Sequence, residues 1–239
     1  MEKKYELLED EVVYIYGYKL HRIKALKDFG VVKAGDFGGW IESEKNLDQD
    51  GNCWIYDEAK VFHNATVIDN ARIDGHAEIY GTSCVRDDSY VGGYARVHGN
   101  AEIRCNAFVY SHADVHGGAI VKGHITGDAA IFGNSYIFEG TSLGKDACIS
   151  SNENYFNVCG SVNVKDSLSI ITFFRTSHGD IEVGFLDYAY CTIDEFRKIL
   201  EKLREDKKFS ISSYNKHLEI TDMAEKFLNN YEDLEKSNN

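Results

Sequence analysis

The 239-residue chain contains no proline. Proline removes a backbone donor and is confined to strand edges and bulges, so its absence suits a chain built from many short paired strands. Basic residues are scarce: 26 Lys and Arg stand against 39 Asp and Glu, a formal charge of −13. That balance disfavours direct binding to nucleic acid or to an anionic membrane, which needs a basic footprint. It permits an acidic surface that meets basic partners or imitates a polyanion such as DNA, and it also simply favours solubility. No apolar run approaches the ~20 residues that span a bilayer. The Met1–Glu11 stretch lacks the charged-then-apolar order of a secretion signal, which points to the cytoplasm. Among the six cysteines there is no Cys-x-x-Cys pair, and reduced thiols are expected.

What the chain has in abundance is a period of six. Ile55, Val61, Val67, Ile73, Ile79, Val85, Val91, Val97, Ile103, Val109, Val115 and Val121 follow one another at that spacing. Two places before each stands a small residue: Cys53, Ala59, Ala65, Ala71, Ala77, Ser83, Ser89, Ala95, Ala101, Ala107, Ala113 and Ala119. The step from Val121 to Ile125 is four, and the period then resumes through Ile131, Ile137, Leu143, Ile149 and Tyr155, with the small series ending at Glu153. A two-residue deletion at one corner accounts for the slip. A helix needs a period of 3.6 and a plain strand a period of two, so strict sixes select a solenoid of short strands. Three hexads per turn give about six coils, roughly 29 Å of stacked strands. The aliphatic residues point inward, and Gly, Asn, Asp and His fill corners where positive φ is tolerated.

The flanks do not repeat. Residues 1–50 are expected to form a small N-terminal β cap, with strands on either side of Gly17 and a Gly-rich, turn-like stretch from Phe29 to Trp40. Gly35-Asp36-Phe37-Gly38-Gly39 lacks the Lys-Ser/Thr ending of a phosphate loop and reads as turns leading into the first coil. Residues 51–159 form the all-β solenoid. Residues 160–239 carry a hairpin around Ser177-His178-Gly179, a capping box at Thr192–Glu195 opening a helix to about Leu203, and a second helix over Leu218–Leu234. A solenoid's ends expose unpaired strand edges, so both flanks are expected to act as caps.

The hexads resemble those of hexapeptide-repeat proteins, and that resemblance implies a left-handed parallel β-helix. More specifically, Arg22–Gly30, Lys33–Leu47 with its Gly38-Gly39-Trp40-Ile41-Glu42-Ser43-Glu44 core, and Asp50–Tyr56 are similar to the YdcK-like family. That family is found in bacteria and in phage genomes. The tail, with Phe173–Thr176 and Thr192–Phe196, resembles a C-terminal α/β module attached to phage versions. The resemblance implies a phage- or prophage-encoded protein at work in a host cytoplasm, and a homotrimer or homodimer. It supplies no catalytic residues.

Acyltransferases on this fold carry a catalytic His on a loop extruded from a coil. Hexads 53–121 leave no room for such a loop. His98 and His116 lie one coil apart on an outward face and are the candidates for an acyltransferase-like alternative. Carbonic anhydrases of the fold hold zinc with three His, but the spacing of His98, His112 and His116 matches no such pattern. Neither metal nor cofactor is expected. The outward faces are more telling. Lys60, Glu78, Arg96 and Asp114 alternate in sign from coil to coil, an inter-coil ladder. Another face gathers Trp54, Tyr56, Arg72, Asp74, Tyr90, Phe108 and Tyr110. An aromatic face of this kind is expected to be covered, by a terminal segment, a second subunit or a protein partner. These faces favour a non-enzymatic interaction protein; the resemblance to phage versions implies a host protein as partner, and counter-defence as its setting is an expectation from genome-context analogy alone. An acidic DNA mimic is a further alternative.

Overall fold

The computed structural model describes residues 3–150, 155–160, 169–185, 189–206 and 210–237. Strand β1 (Tyr5–Ile15) turns through Tyr16 and Gly17, both at positive φ, into the antiparallel β2 (Tyr18–Ala25). Next comes β3 (Phe37–Ile41), antiparallel to β2 on one side and parallel to Lys60–Val61 on the other. Here the structure corrects the reading of Gly38-Gly39-Trp40 as turn. A Cβ on Gly38 would lie 2.6 Å from Ile23 and 2.7 Å from the Trp54 ring, and one on Gly39 would lie 2.5 Å from the Ala59 carbonyl oxygen. These glycines let a strand lie flat against the first coil.

From β4 (Trp54–Ile55) through β20 (Cys148–Ile149) the chain makes two-residue strands separated by corners, giving a parallel β-solenoid of about six turns. Every described inward aliphatic residue of the hexads is buried, as are their small partners. Each coil's backbone bonds to the next, as where Tyr80 N–H donates to the Val97 carbonyl at 3.0 Å. The corner turn explains the small series. At Asp74-Gly75-His76-Ala77, the Ala77 N–H reaches back to the Asp74 carbonyl at 3.3 Å, with Gly75 at φ 64°. The small residue thus closes the turn, with its methyl against the narrow core. Asp57, His63, Asp69, Asp87, Cys105 and Ser111 take the same positive φ at the corresponding corners. At the slip, Lys122-Gly123 joins two strands without a turn. A Cβ on Gly123 would lie 2.6 Å from the Thr141 carbonyl oxygen.

Both ends are capped. At the start, Tyr5, Ile23, Ile41 and Leu47 join the solenoid core, and the buried Lys4 Nζ donates to the Asp50 and Cys53 carbonyls at 3.0 and 3.2 Å. At the far end, strands β21 (Tyr155–Gly160), β22 (Ser169–Arg175), β23 (Ile181–Phe185) and β24 (Ala189–Thr192) form an antiparallel sheet. Phe174 of β22 completes the solenoid core, and Thr176 bridges to Ala147. This corrects the eighteenth hexad: Tyr155 has the spacing of a coil residue but pairs antiparallel with Phe174. The Glu153 position lies outside the described residues. Helix α1 (Ile193–Glu205) opens on the expected capping box, Glu195 N–H donating to Thr192 Oγ1 at 3.2 Å. Helix α2 (Ile211–Ser237) packs beside it through Ala224 and Leu228.

Candidate functional site

The aromatic face is one sheet of the solenoid, in which Trp54, Arg72, Tyr90, Phe108, His124 and Ser142 stand in register on successive coils. Each precedes an inward aliphatic residue, so each points outward by simple strand alternation. The N-terminal cap covers the lower end. Trp54 is fully buried, edge-on to Phe29 and Tyr5 at centroid separations of 5.3 and 6.2 Å. The middle is open. The Arg72 side chain is 52 % exposed, and its guanidinium lies 4.5 Å from the Tyr56 centroid and 5.9 Å from that of Tyr90. Asp74 holds this arrangement together, accepting from Tyr90 Oη at 2.6 Å and from Arg72 at 3.2 Å. Burial, with the Asp74 carboxylate in support, pushes the Tyr90 phenol well above its ordinary range, so it stays a donor. Tyr90 stacks on Phe108 at 4.8 Å, and Tyr110, 40 % exposed, tilts 32° out of that stack.

The upper end of the face is closed by a residue the sequence reading did not single out. Tyr190 of β24 lies over Gly144, and its hydroxyl is 3.2 Å from Thr126 Oγ1 and 3.0 Å from Ser142 Oγ. The available signal was Gly144 itself, an outward position with no side chain, where another element can settle. Between Tyr190 and the Phe108–Tyr110 pair lies a cavity of about 520 Å³, also lined by Ser111, Thr126, Gly127 and Lys145. Lys145 donates to the buried Glu182 at 2.8 Å, and that bond holds the ammonium above its ordinary pKa. Near this pair, burial pushes the Cys191 thiol up to about 11, so it offers no thiolate nucleophile at neutral pH.

Of the seven residues of the expected face, Trp54, Arg72, Tyr90 and Phe108 stand in one sheet and Tyr56, Asp74 and Tyr110 lie just past its strands, whereas His98 and His116 lie just past the strands of another sheet. There the rings of Phe62, Tyr80, His98, His116 and Phe132 form a continuous stack with centroid spacings of 5.2, 4.7, 4.9 and 5.3 Å. Asp114 meets His98 Nε2 at 3.0 Å and also pairs with Arg96. Burial lowers the His98 pKa, and the Asp114 carboxylate opposes that shift. The expected charge ladder has the predicted register, with Arg96 facing Asp114, while Lys60 Nζ donates to the Glu58 carbonyl and Tyr16 Oη to Glu78. His112 sits on a separate corner, stacked 5.3 Å from Tyr94. Among the described residues, no three His, Cys, Asp or Glu side chains converge to hold a metal. Nor is any described helix long and apolar enough to cross a membrane.

No protein-family model matches the chain. Over 81 residues it is 44% identical to a protein of Escherichia coli (strain K12) named "Uncharacterized acetyltransferase YdcK". That likeness takes in 30% of this chain and 25% of the relative, so the chain spans about a quarter of the length of the protein it matches. The chain fits a hexapeptide-repeat family. The period of six, the parallel solenoid and the likeness to YdcK agree on this.

Proposed function

We propose that this is a non-enzymatic binding protein whose aromatic face receives a protein partner. The observation that carries the reading is Arg72, half exposed and stacked between Tyr56 and Tyr90, with Tyr110 exposed one coil beyond. Arginine and tyrosine held rigidly in this way are the side chains that concentrate binding energy at protein interfaces. The scaffold supports the same view. From Trp54 to Ile149 the corners are short and extrude no loop that could carry a catalytic group over a groove. The resemblance of the tail to phage modules makes a host protein the expected partner.

Arg72→Ala tests this reading, with a thermal melt to show that the variant stays folded without the Arg72–Asp74 pair. A partner that co-purifies in defined stoichiometry with the parent should be retained at least tenfold less by the variant. Equal retention, or solution masses showing that a second copy of the chain occupies the face, would contradict the proposal. A second reading has its own support in the name of the relative, an acetyltransferase. In that case His98, paired with Asp114, is the residue equipped to act as a base.

A further inference from the structure

The cavity between the solenoid and the C-terminal module calls for a smaller occupant than a protein surface. Its walls come from three successive coils: Phe108, Tyr110 and Ser111 from one, Thr126 and Gly127 from the next, and Lys145 from the third. Tyr190 closes it above Gly144. Its volume of about 520 Å³ falls within the roughly 300–1,000 Å³ range of small-molecule sites.

The chemistry of the lining narrows the ligand class. Phe108, Tyr110 and Tyr190 offer ring surface. The hydroxyls of Ser111, Thr126 and Tyr190 can each donate or accept a hydrogen bond. The cation of the lining, Lys145, is paired with Glu182 at 2.8 Å, so it offers the site a donor whose charge is balanced. An anionic ligand would compete with Glu182 for Lys145, and a purely apolar one would make no use of the hydroxyls. A neutral ring with an apolar face and a hydroxyl-bearing edge satisfies both sets of groups. Its C–H bonds would meet the electron-rich aromatic faces while its hydroxyls would bond to the rim.

We propose that this cavity is a binding site for a neutral pyranose, either as a free saccharide or as a glycan carried on a protein. Saturation-transfer NMR on the full chain with methyl glucopyranoside, mannopyranoside and galactopyranoside tests it. At least one glycoside should receive saturation through its ring C–H protons. Tyr110→Ala should weaken that binding about tenfold or more without lowering the melting temperature. Tyr94→Ala, at an exposed aromatic on another corner, should leave it unchanged. Binding of a glycoprotein before and after enzymatic deglycosylation separates the two sources, and a gain from the carried glycan or equal binding of the free glycoside each supports the site. No saturation for any glycoside, or equal losses in both variants, would overturn it. Arg72→Ala should cost protein-partner binding and leave glycoside binding intact, so the two proposals fail separately.

Discussion

His98 and His116 lie face to face, with 4.9 Å between ring centroids and 9° between ring planes. They occupy the same place on neighbouring coils, and Tyr80 and Phe132 extend the stack on either side. The neighbouring ring disfavours a proton on His98.

A pH dependence follows. Burial lowers the His98 pKa, with Arg96 and His116 acting in the same direction and Asp114 against it. The unfolded chain then takes up its proton first as pH falls below the ordinary imidazole value of about 6.5. Stability is complete above that value and is lost as pH falls from it toward the lower folded pKa. Thermal melts between pH 7.5 and 5.5 should show the midpoint falling with pH, and His98→Gln should flatten part of that slope. A His98→Gln variant with the parent's slope would show that the ring's environment does not perturb it.

The narrow core predicts a sharp penalty for added volume. Ala101 is buried at a corner, and Ala101→Leu should cost about 1–3 kcal/mol or more. Gly39→Ala should be destabilising for a related reason, because its Cβ would meet the Ala59 carbonyl oxygen at 2.5 Å and Ile55 Cγ2 at 2.6 Å. Denaturant titration checks both. An Ala101→Leu variant as stable as the parent would mean that the corners hold spare room.

Lys4 makes a third case. Its buried Nζ serves the Asp50 and Cys53 carbonyls and lies 3.3 Å from Cys53 Sγ. Lys4→Met keeps the apolar stem and strands the buried Cys53 carbonyl, at about 1–3 kcal/mol for a buried unsatisfied group. Denaturant midpoints should fall. An unchanged midpoint would show that the cost of burying the lysine head group cancels its hydrogen bonds.

The solenoid was legible in the sequence because its core repeats. Each coil meets the same narrow interior, so Ala at the corner and Val or Ile on the side recur whatever stands outside. The slip at Val121–Ile125 was legible for the same reason. Gly38 and Gly39 were misread because glycine marks both turns and close packing, and only the positions of Ile23 and Trp54 decide between them. Tyr155 was misread because spacing alone cannot reveal that a hairpin, rather than another coil, covers the last strand edge. The aromatic face was legible from period and alternation. Its closure by Tyr190 was not, because the docking of a non-repeating module leaves no periodic trace beyond the bare position at Gly144.

On the proposed function, this scaffold binds rather than catalyses. The most direct measurement is acyl transfer and acyl-CoA hydrolysis by the parent across a panel of amine and hydroxyl acceptors, repeated with the His98→Gln, His116→Gln double variant. Neither protein should show turnover above the uncatalysed background, and the variant should remain folded. Robust turnover in the parent that drops ~10²–10⁴-fold in the variant, the loss expected on removing a general base, would contradict it.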